Sequence, residues 1–306
     1  MAGYESVSDS LYDPLLQRLE SGLRILPDKP DETPRATLHC LWALAAGTPI
    51  STCEAQTYAA PALDDEQQTH LRELVARRLA GEPLAHVTGR QCFMGIVLRS
   101  SPAALVPRRE TELMTRAAVE KLAALEGSAP VVIDLCTGSG NVALALAVHA
   151  PQARVWGGDL SPEAVALARS NAEFIARPEV EFRVGDLAEP FATPEFLGRV
   201  DVLTCNPPYI SSAKVEVMPP EISGHEPRLA FDGGPFGVNV MLRLLKEAPR
   251  LLKRGGWLLF EVGLGQGDSM HRRLAGVPGF GAVEAVRDAN GDIRALAACH
   301  GVGPRG

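Results

Sequence analysis

The sequence predicts an α/β protein: a seven-stranded, mostly parallel sheet, preceded by a small N-terminal helical bundle and a linking β-hairpin. Three observations predict it. From residue 131 onward, short apolar runs of strand type alternate with helical stretches, the signature of βαβ units. The first of those runs leads straight into a glycine-rich loop and a helix. Residues 9–80 show helical periodicity and no strand pattern. At 306 residues the chain is long enough for two such units.

The elements run in order along the chain. Leu11, Leu15, Leu16, Leu19, Leu23 and Leu26 repeat at helical spacing over 9–26, and Pro27 and Pro30 end that segment. Thr33-Pro34 reads as a cap and first helical residue for a helix to Ala46. A weak helix is expected near 51–59. Asp64-Asp65-Glu66 opens another through Leu71, Leu74, Val75 and Leu79, closed by Gly81. His86–Gly89 and Gly95–Arg99 read as a β-hairpin, and a helix follows Arg108 to about Leu125. Strands are expected at 131–135, 154–157, 181–184, 200–205 and 256–262, with helices at 141–149, 161–175 and 237–252. Residues 281–299 read as two strands around Asn290-Gly291. The expected organisation is a helical docking unit over 1–84, a β-hairpin linker over 85–106 and a catalytic unit over 107–306.

Composition narrows the function. Apolar residues make up 46% and charged residues 22%, as in soluble globular proteins. No apolar stretch is long enough to span a membrane, and the N-terminus lacks a basic region followed by an apolar one, so neither membrane insertion nor a signal peptide is expected. The six cysteines are scattered without a CxxC pair, which argues against a zinc site or a disulfide framework and for a reducing, cytoplasmic setting. His86 and His225 lack a third partner at metal spacing, so no metal is expected. A net charge of −7 without a basic block disfavours direct nucleic-acid binding.

Two stretches carry chemistry. The strand Val131–Leu135, with Asp134 in it, leads into Cys136-Thr137-Gly138-Ser139-Gly140-Asn141 and a helix. Gly138, Gly140 and Ala143 fit the G-x-G-x-x-G/A pattern, in which glycine lets a ligand approach the backbone and the helix N-terminus favours an anion. Asp159 closes the next strand, where an acid binds a ribose diol. Asp186, after the third strand, can accept from an adenine amino group. NAD and S-adenosylmethionine both satisfy this pattern; no residue set for hydride transfer accompanies it.

The second stretch is Asn206-Pro207-Pro208-Tyr209, at the end of the apolar run Val200–Cys205. Two prolines stiffen the turn, and Pro207 drives Asn206 out of the helical region. The Asn206 side-chain oxygen and the Pro207 carbonyl are acceptors fixed side by side, able to take both hydrogens of one NH₂ group. Tyr209 offers a flat face to a planar group. A nitrogen clamp beside a methyl donor is a nitrogen methyltransferase.

The catalytic half resembles the class I (Rossmann-like) methyltransferases with an Asn-Pro-Pro-Tyr motif. Nearly all of 10–299 resembles the HemK/PrmC-type enzymes, which methylate the glutamine of the Gly-Gly-Gln motif in peptide-chain release factors. The resemblance extends to Gly81–Gly89, to Leu105–Arg108 with Glu110–Glu112, to His225-Glu226-Pro227 with Gly233-Gly234, and to Glu261-Val262-Gly263 with Gln266. It implies S-adenosyl-L-methionine as cofactor, S-adenosyl-L-homocysteine as product and a release factor as partner of a monomeric enzyme. Asp134, Cys136, Thr137, Gly138, Ser139, Gly140, Asp159, Leu160, Asp186, Leu187 and Asn206 are then expected around the cofactor. Asn206, Pro207, Pro208 and Tyr209 are expected at the reacting centre, and Arg108 and Glu110 beside the substrate. Glu226 is read as bonding the Asn206 turn or capping its loop, and Glu261 as capping backbone; no general base is assigned.

This sequence departs from that pattern at Cys136, where glycine is usual, at Arg109 (proline), at His225 (an aromatic) and at Leu187 (Trp). These departures motivate a second reading, a paralogue that methylates a nitrogen of a small molecule. Adenine N6 of a nucleic acid is a third, since it too is a planar NH₂.

Overall fold

The computed structural model describes residues 7–125 and 129–301. Five helices come first: α1 (Val7–Gly22), α2 (Pro34–Ala45), α3 (Thr52–Ala55), α4 (Asp65–Leu79) and α5 (Leu84–Thr88). They enclose one core around Trp42 in which Leu19, Leu38, Leu41, Leu71 and Leu74 lose all contact with water. Their caps are the ones the sequence spells out. Thr33 Oγ1 accepts from Ala36 N–H at 3.2 Å, with Pro34 as first helical residue. Asp64 and Gln67 exchange side-chain and backbone hydrogen bonds as a capping box. Helix α1 stops at Gly22, so Leu23–Leu26 lie outside it.

The expected first hairpin strand at His86–Gly89 is instead mostly helix α5. Leu84 and Val87 complete the apolar core of the bundle, and Thr88 donates back to the Leu84 carbonyl at 2.9 Å. Gly89, at φ 66°, ends the turn, so the helical unit runs four residues past the expected boundary at 84. The hairpin is β1 (Arg90–Phe93) and β2 (Ile96–Arg99), joined by Met94-Gly95, both at positive φ as a tight hairpin loop requires. Glu112 fixes that loop by accepting from Met94 N–H at 2.8 Å.

The remaining elements are α6 (Arg109–Ala123), β3 (Val131–Leu135), α7 (Asn141–His149), β4 (Arg154–Asp159), α8 (Pro162–Phe174), β5 (Glu181–Val184), β6 (Val200–Cys205), α9 (Ser212–Val215), α10 (Pro220–Ser223), α11 (Asn239–Leu251), β7 (Leu252–Glu261), α12 (Gly267–Ala275), β8 (Phe280–Arg287) and β9 (Ile293–His300). The sheet runs β5-β4-β3-β6-β7-β9-β8. Strands β3 to β7 are parallel, while β9 lies antiparallel to both β7 and β8. Successive residues face opposite sides. Val132, Val202 and Leu259 pack under α6, α7 and α8; Ile133, Leu203 and Leu258 pack under α11 and α12. Both faces are covered, as a parallel sheet demands.

The helical bundle is tied to the chain after Tyr209 by buried charges. Glu221, on α10, receives Lys29 Nζ at 3.2 Å and Arg78 Nη1 at 3.3 Å, and Arg78 Nη2 lies 2.9 Å from Glu32. All four side chains are buried. Such pairs cost dehydration to form, and removing one member strands the others. Glu221→Ala leaves Lys29 without its partner, so urea denaturation should show a loss of about 3 kcal/mol, with a smaller loss for Glu221→Gln.

Candidate active site

Strand order reverses between β3 and β6: the chain leaves β3 towards β4 and returns on the other side as β6. Ligands of open α/β sheets bind outside the carboxyl ends of the strands at such a point. Asp134 sits there opposite Thr204 and joins the two strands to the glycine loop. Its Oδ1 accepts from Thr204 Oγ1 at 2.7 Å and its Oδ2 from Thr137 Oγ1 at 2.6 Å. Burial pushes its pKa up to about 7 against both hydroxyls. Asp134 therefore anchors the glycine loop from below and does not face the crevice.

A cleft of about 220 Å³ opens above it. Cys136, Thr137 and Gly138 form one wall, Asp159 and Leu160 another, and Asp186 and Leu187 the far end. Asn206 and Pro208 close it on the β6 side. Ser139 and Gly140 are buried beneath the loop, with Gly140 as the cap of α7 at φ 80°. Gly138 has only Ala104 near the place of a Cβ, at 4.0 Å, so backbone faces open space there. Asp159 is fixed by Gly138 N–H at 2.8 Å and Ser161 N–H at 2.9 Å. A carboxylate so held, between a bare loop backbone and apolar Leu160 and Leu187, fits the ribose and adenine of S-adenosylmethionine. Two of the sequence departures fall here: Cys136 at φ 54° and Leu187 at φ 48° hold left-handed backbone that L-residues disfavour. Arg243 was not legible in the sequence; it reaches from α11 to within 3.0 Å of Asp186.

A second cavity, of about 780 Å³, lies on the other side of Asn206. Asn206 and Arg108 line both cavities; Tyr209, Glu110, Ile222 and Leu264 line only the second. Asn206 Nδ2 donates to Thr111 Oγ1 at 3.2 Å, which turns the amide so that Oδ1 is left free. Pro207 is buried beneath the turn. Tyr209 donates its hydroxyl to Glu261 Oε1 at 2.9 Å, and its carbonyl accepts from Gln266 Nε2, also at 2.9 Å. Glu261 is therefore a side-chain partner of the motif, not a backbone cap. It is wholly buried, and burial lifts its pKa to about 7.

Arg108 is buried and pairs with Glu226 at 2.6 Å and with Asp28 at 3.2 Å. Glu226 also accepts from Val106 N–H at 2.8 Å, so it caps the approach to α6 and does not bond the Asn206 turn. Glu110 pairs with Arg294 at 3.2 Å. Among the described residues no cluster of His, Cys, Asp and Glu is placed to hold a metal, and no helix is long and apolar enough to cross a membrane.

The seven-stranded sheet, the glycine cleft and the motif beside it define a class I S-adenosylmethionine-dependent methyltransferase. The family described as "Methyltransferase domain" matches residues 132–221, and that described as "PrmC N-terminal domain" matches 17–89. The chain is 34% identical to the release factor glutamine methyltransferase of Moorella thermoacetica, over 93% of this chain and 98% of that one. It is 35% identical to that of Geobacter sulfurreducens (85% and 88% covered) and 33% identical to that of Thermodesulfovibrio yellowstonii (77% and 83% covered). The chain belongs to the release factor glutamine methyltransferase family. Among solved structures, the hMettl16 catalytic domain, crystallised with the MAT2A 3'UTR hairpin 6, shares the fold at a TM-score of 0.50 and 14% identity, covering 77% of this chain and 82% of that one.

The two raised carboxyls make stability depend on pH. Between the ordinary values, 3.8 for Asp134 and 4.5 for Glu261, and about 7, the folded chain keeps protons that the unfolded chain has released. Their contribution is thus present below the ordinary values and lost as pH rises through about 7. The double variant Asp134→Asn, Glu261→Gln should lose less Tm than the parent between about pH 5 and about pH 8 in thermal melts. His86, whose pKa burial lowers to about 4, titrates alike in both proteins and cancels.

Proposed function

We propose that the chain methylates the side-chain amide nitrogen of a protein glutamine, that of the Gly-Gly-Gln motif of peptide-chain release factors. S-adenosyl-L-methionine is the donor and S-adenosyl-L-homocysteine the product. The observation that carries this reading is Asn206 standing in the wall between two cavities, its Nδ2 held by Thr111 and its Oδ1 free. The curated relatives, matched over most of their length, support the choice of acceptor. A net charge of −7 favours a protein acceptor over a phosphate-backboned one.

When bound, the cofactor supplies a methyl group on a positively charged sulfur. Asp159 would take the ribose hydroxyls, Leu160 and Leu187 would flank the adenine, and Asp186 would accept from its amino group. The loop Cys136–Gly138 would cradle the amino-acid end, with Asp134, Ser139 and Gly140 supporting the loop from below. On the acceptor side, Asn206 Oδ1 and the Pro207 carbonyl receive the two N–H bonds of the glutamine amide, and Tyr209 lies against its plane. An amide nitrogen is a poor nucleophile because its lone pair is delocalised. Fixed orientation supplies much of what the reaction needs, about 7–11 kcal/mol in favourable cases. Both acceptors strengthen their hold as positive charge grows on nitrogen. The proton leaves after methyl transfer, so no base is required. Arg108 and Glu110 shape the mouth through which the loop enters. The bundle α1–α5 is the docking surface for the rest of the release factor, and that partner implies the cytoplasm.

Purified release factors incubated with enzyme and isotope-labelled cofactor, then digested, should carry one added methyl on the glutamine of that motif by mass spectrometry. Asn206→Ala should lower kcat by about 10²–10³ while the release factor still binds. Unmodified release factor, or undiminished turnover in the variant, would overturn the reading.

A further inference from the structure

Behind Asn206 lies a chain of polar side chains to which the catalytic reading assigns no task. Asn206 Nδ2 donates to Thr111 Oγ1 at 3.2 Å. Thr111 is 1% exposed and sits in the first turn of α6, over the end of β7. Glu261, at that end, is 0% exposed. One of its oxygens accepts from the Tyr209 hydroxyl at 2.9 Å; the other, Oε2, is buried with no hydrogen-bond partner, and the Thr111 hydroxyl faces the carboxyl. A buried carboxyl oxygen without a donor is costly and rare. The Thr111 hydroxyl hydrogen is the donor at hand, since its oxygen is already accepting from Asn206.

We propose that Thr111 and Glu261 are positioning residues that set the orientation and polarity of the Asn206 amide. The inference rests on the reading that Asn206 Oδ1 receives an N–H of the acceptor amide. Asn206 has two ways to lie, with oxygen or nitrogen towards the acceptor, and only the first can clamp an NH₂ group. Thr111 selects it, provided its hydroxyl presents a lone pair to Nδ2 and sends its hydrogen elsewhere. The Glu261 carboxylate takes that hydrogen. Ionised Glu261 thus fixes the direction of every bond in the chain: Asn206 to Thr111, Thr111 to Glu261, Tyr209 to Glu261. The bonds polarise one another, and electron density is pushed onto Asn206 Oδ1, where the acceptor nitrogen becomes positive. A protonated Glu261 can donate to Thr111 instead, and the direction of the chain is no longer set.

The groups facing Glu261 are Thr111 and Glu110 from α6, Tyr209 from the motif and Arg294 from β9. Burial and Glu110 raise its pKa, the two hydroxyls and Arg294 lower it, and the balance is about 7. The chain of bonds is therefore complete above neutrality and undone below it.

The test uses the full-length enzyme with purified release factor, measuring kcat, KM and S-adenosylhomocysteine affinity from about pH 6 to about pH 9. Parent kcat should rise through about 7 and level off. Thr111→Val should lower kcat about 10- to 100-fold at every pH, with KM for the release factor and product affinity within about twofold, and Thr111→Ser should restore it. Glu261→Gln should be slow, and Asp134→Asn, which removes the other carboxyl raised to about 7, should keep the inflection. In the enzyme without substrate, the side-chain NH₂ resonances of Asn206 should titrate with the same midpoint in the parent and stay fixed in Glu261→Gln. If Glu261→Gln does not fold, the Thr111 pair and the parent titration decide alone. Full activity in Thr111→Val, or Asn206 resonances that still titrate in Glu261→Gln, would overturn the proposal. Asn206→Ala separates the two readings. If it abolishes turnover while Thr111→Val is fully active, only the positioning role falls. If it leaves turnover intact, the clamp itself falls.

Discussion

Asp134 is the point on which the site depends. One buried carboxyl holds the hydroxyl of Thr137, in the loop after β3, and the hydroxyl of Thr204, two residues before Asn206. The glycine loop and the Asn-Pro-Pro-Tyr turn are built on neighbouring strands, and this is where they are locked in register. A glycine-rich loop is mobile by nature, and a double-proline turn is rigid only relative to the strand that carries it. Tying both to one group fixes the distance between them. Burial makes that group costly to ionise, and the two short hydrogen bonds are what make its burial tolerable.

The pattern that is legible in the sequence is local. The glycine loop, the acid closing the next strand and the Asn-Pro-Pro-Tyr turn are each a short run at the end of an apolar strand, so the alternation of strands and helices and the residues just after each strand reveal them. The misreadings are cases where tertiary context decides. His86–Gly89 reads as strand because Val87 and Thr88 favour one, yet Leu84 and Val87 complete the helical core and pull the segment into a turn of helix. Spacing brings Glu226 and Glu261 near the motif without their partners. Those partners, Arg108 and Tyr209, lie 118 and 52 residues away, beyond any periodicity. Thr111 carries no signal beyond lying between Glu110 and Glu112. A threonine in a first helical turn is ordinary, and only the fold shows that its hydroxyl meets Asn206.

The bundle and the segment after Tyr209 are joined to each other and together line the larger cavity. Leu26, Pro27 and Asp28 line that cavity from the bundle side, and Met218, Pro219 and Ile222 line it from the segment of α9 and α10. Lys29 and Arg78 hold that segment through Glu221, while Asp28 reaches Arg108. Arg108 lines both cavities, so through Asp28 the bundle is joined to a residue that the two cavities share. The shape of that cavity therefore depends on the bundle as well as on the strand ends.

The four departures from the family pattern can be weighed by where they fall. Cys136 and Leu187 line the cofactor cleft, each in left-handed backbone, and both are distinct from the acceptor cavity. His225 follows α10 and its N–H closes a backbone turn to Ile222, at 3.2 Å. Arg109 alone reaches the acceptor cavity, and it does so from an exposed position paired with Asp31 at 3.5 Å. None contacts Asn206, Thr111, Tyr209 or Glu261 through a side-chain hydrogen bond. Two of the four departures thus touch the cofactor cleft, one edges the second cavity from its surface and one lies in neither, and the hydrogen-bonded group around Asn206 is untouched by any of them.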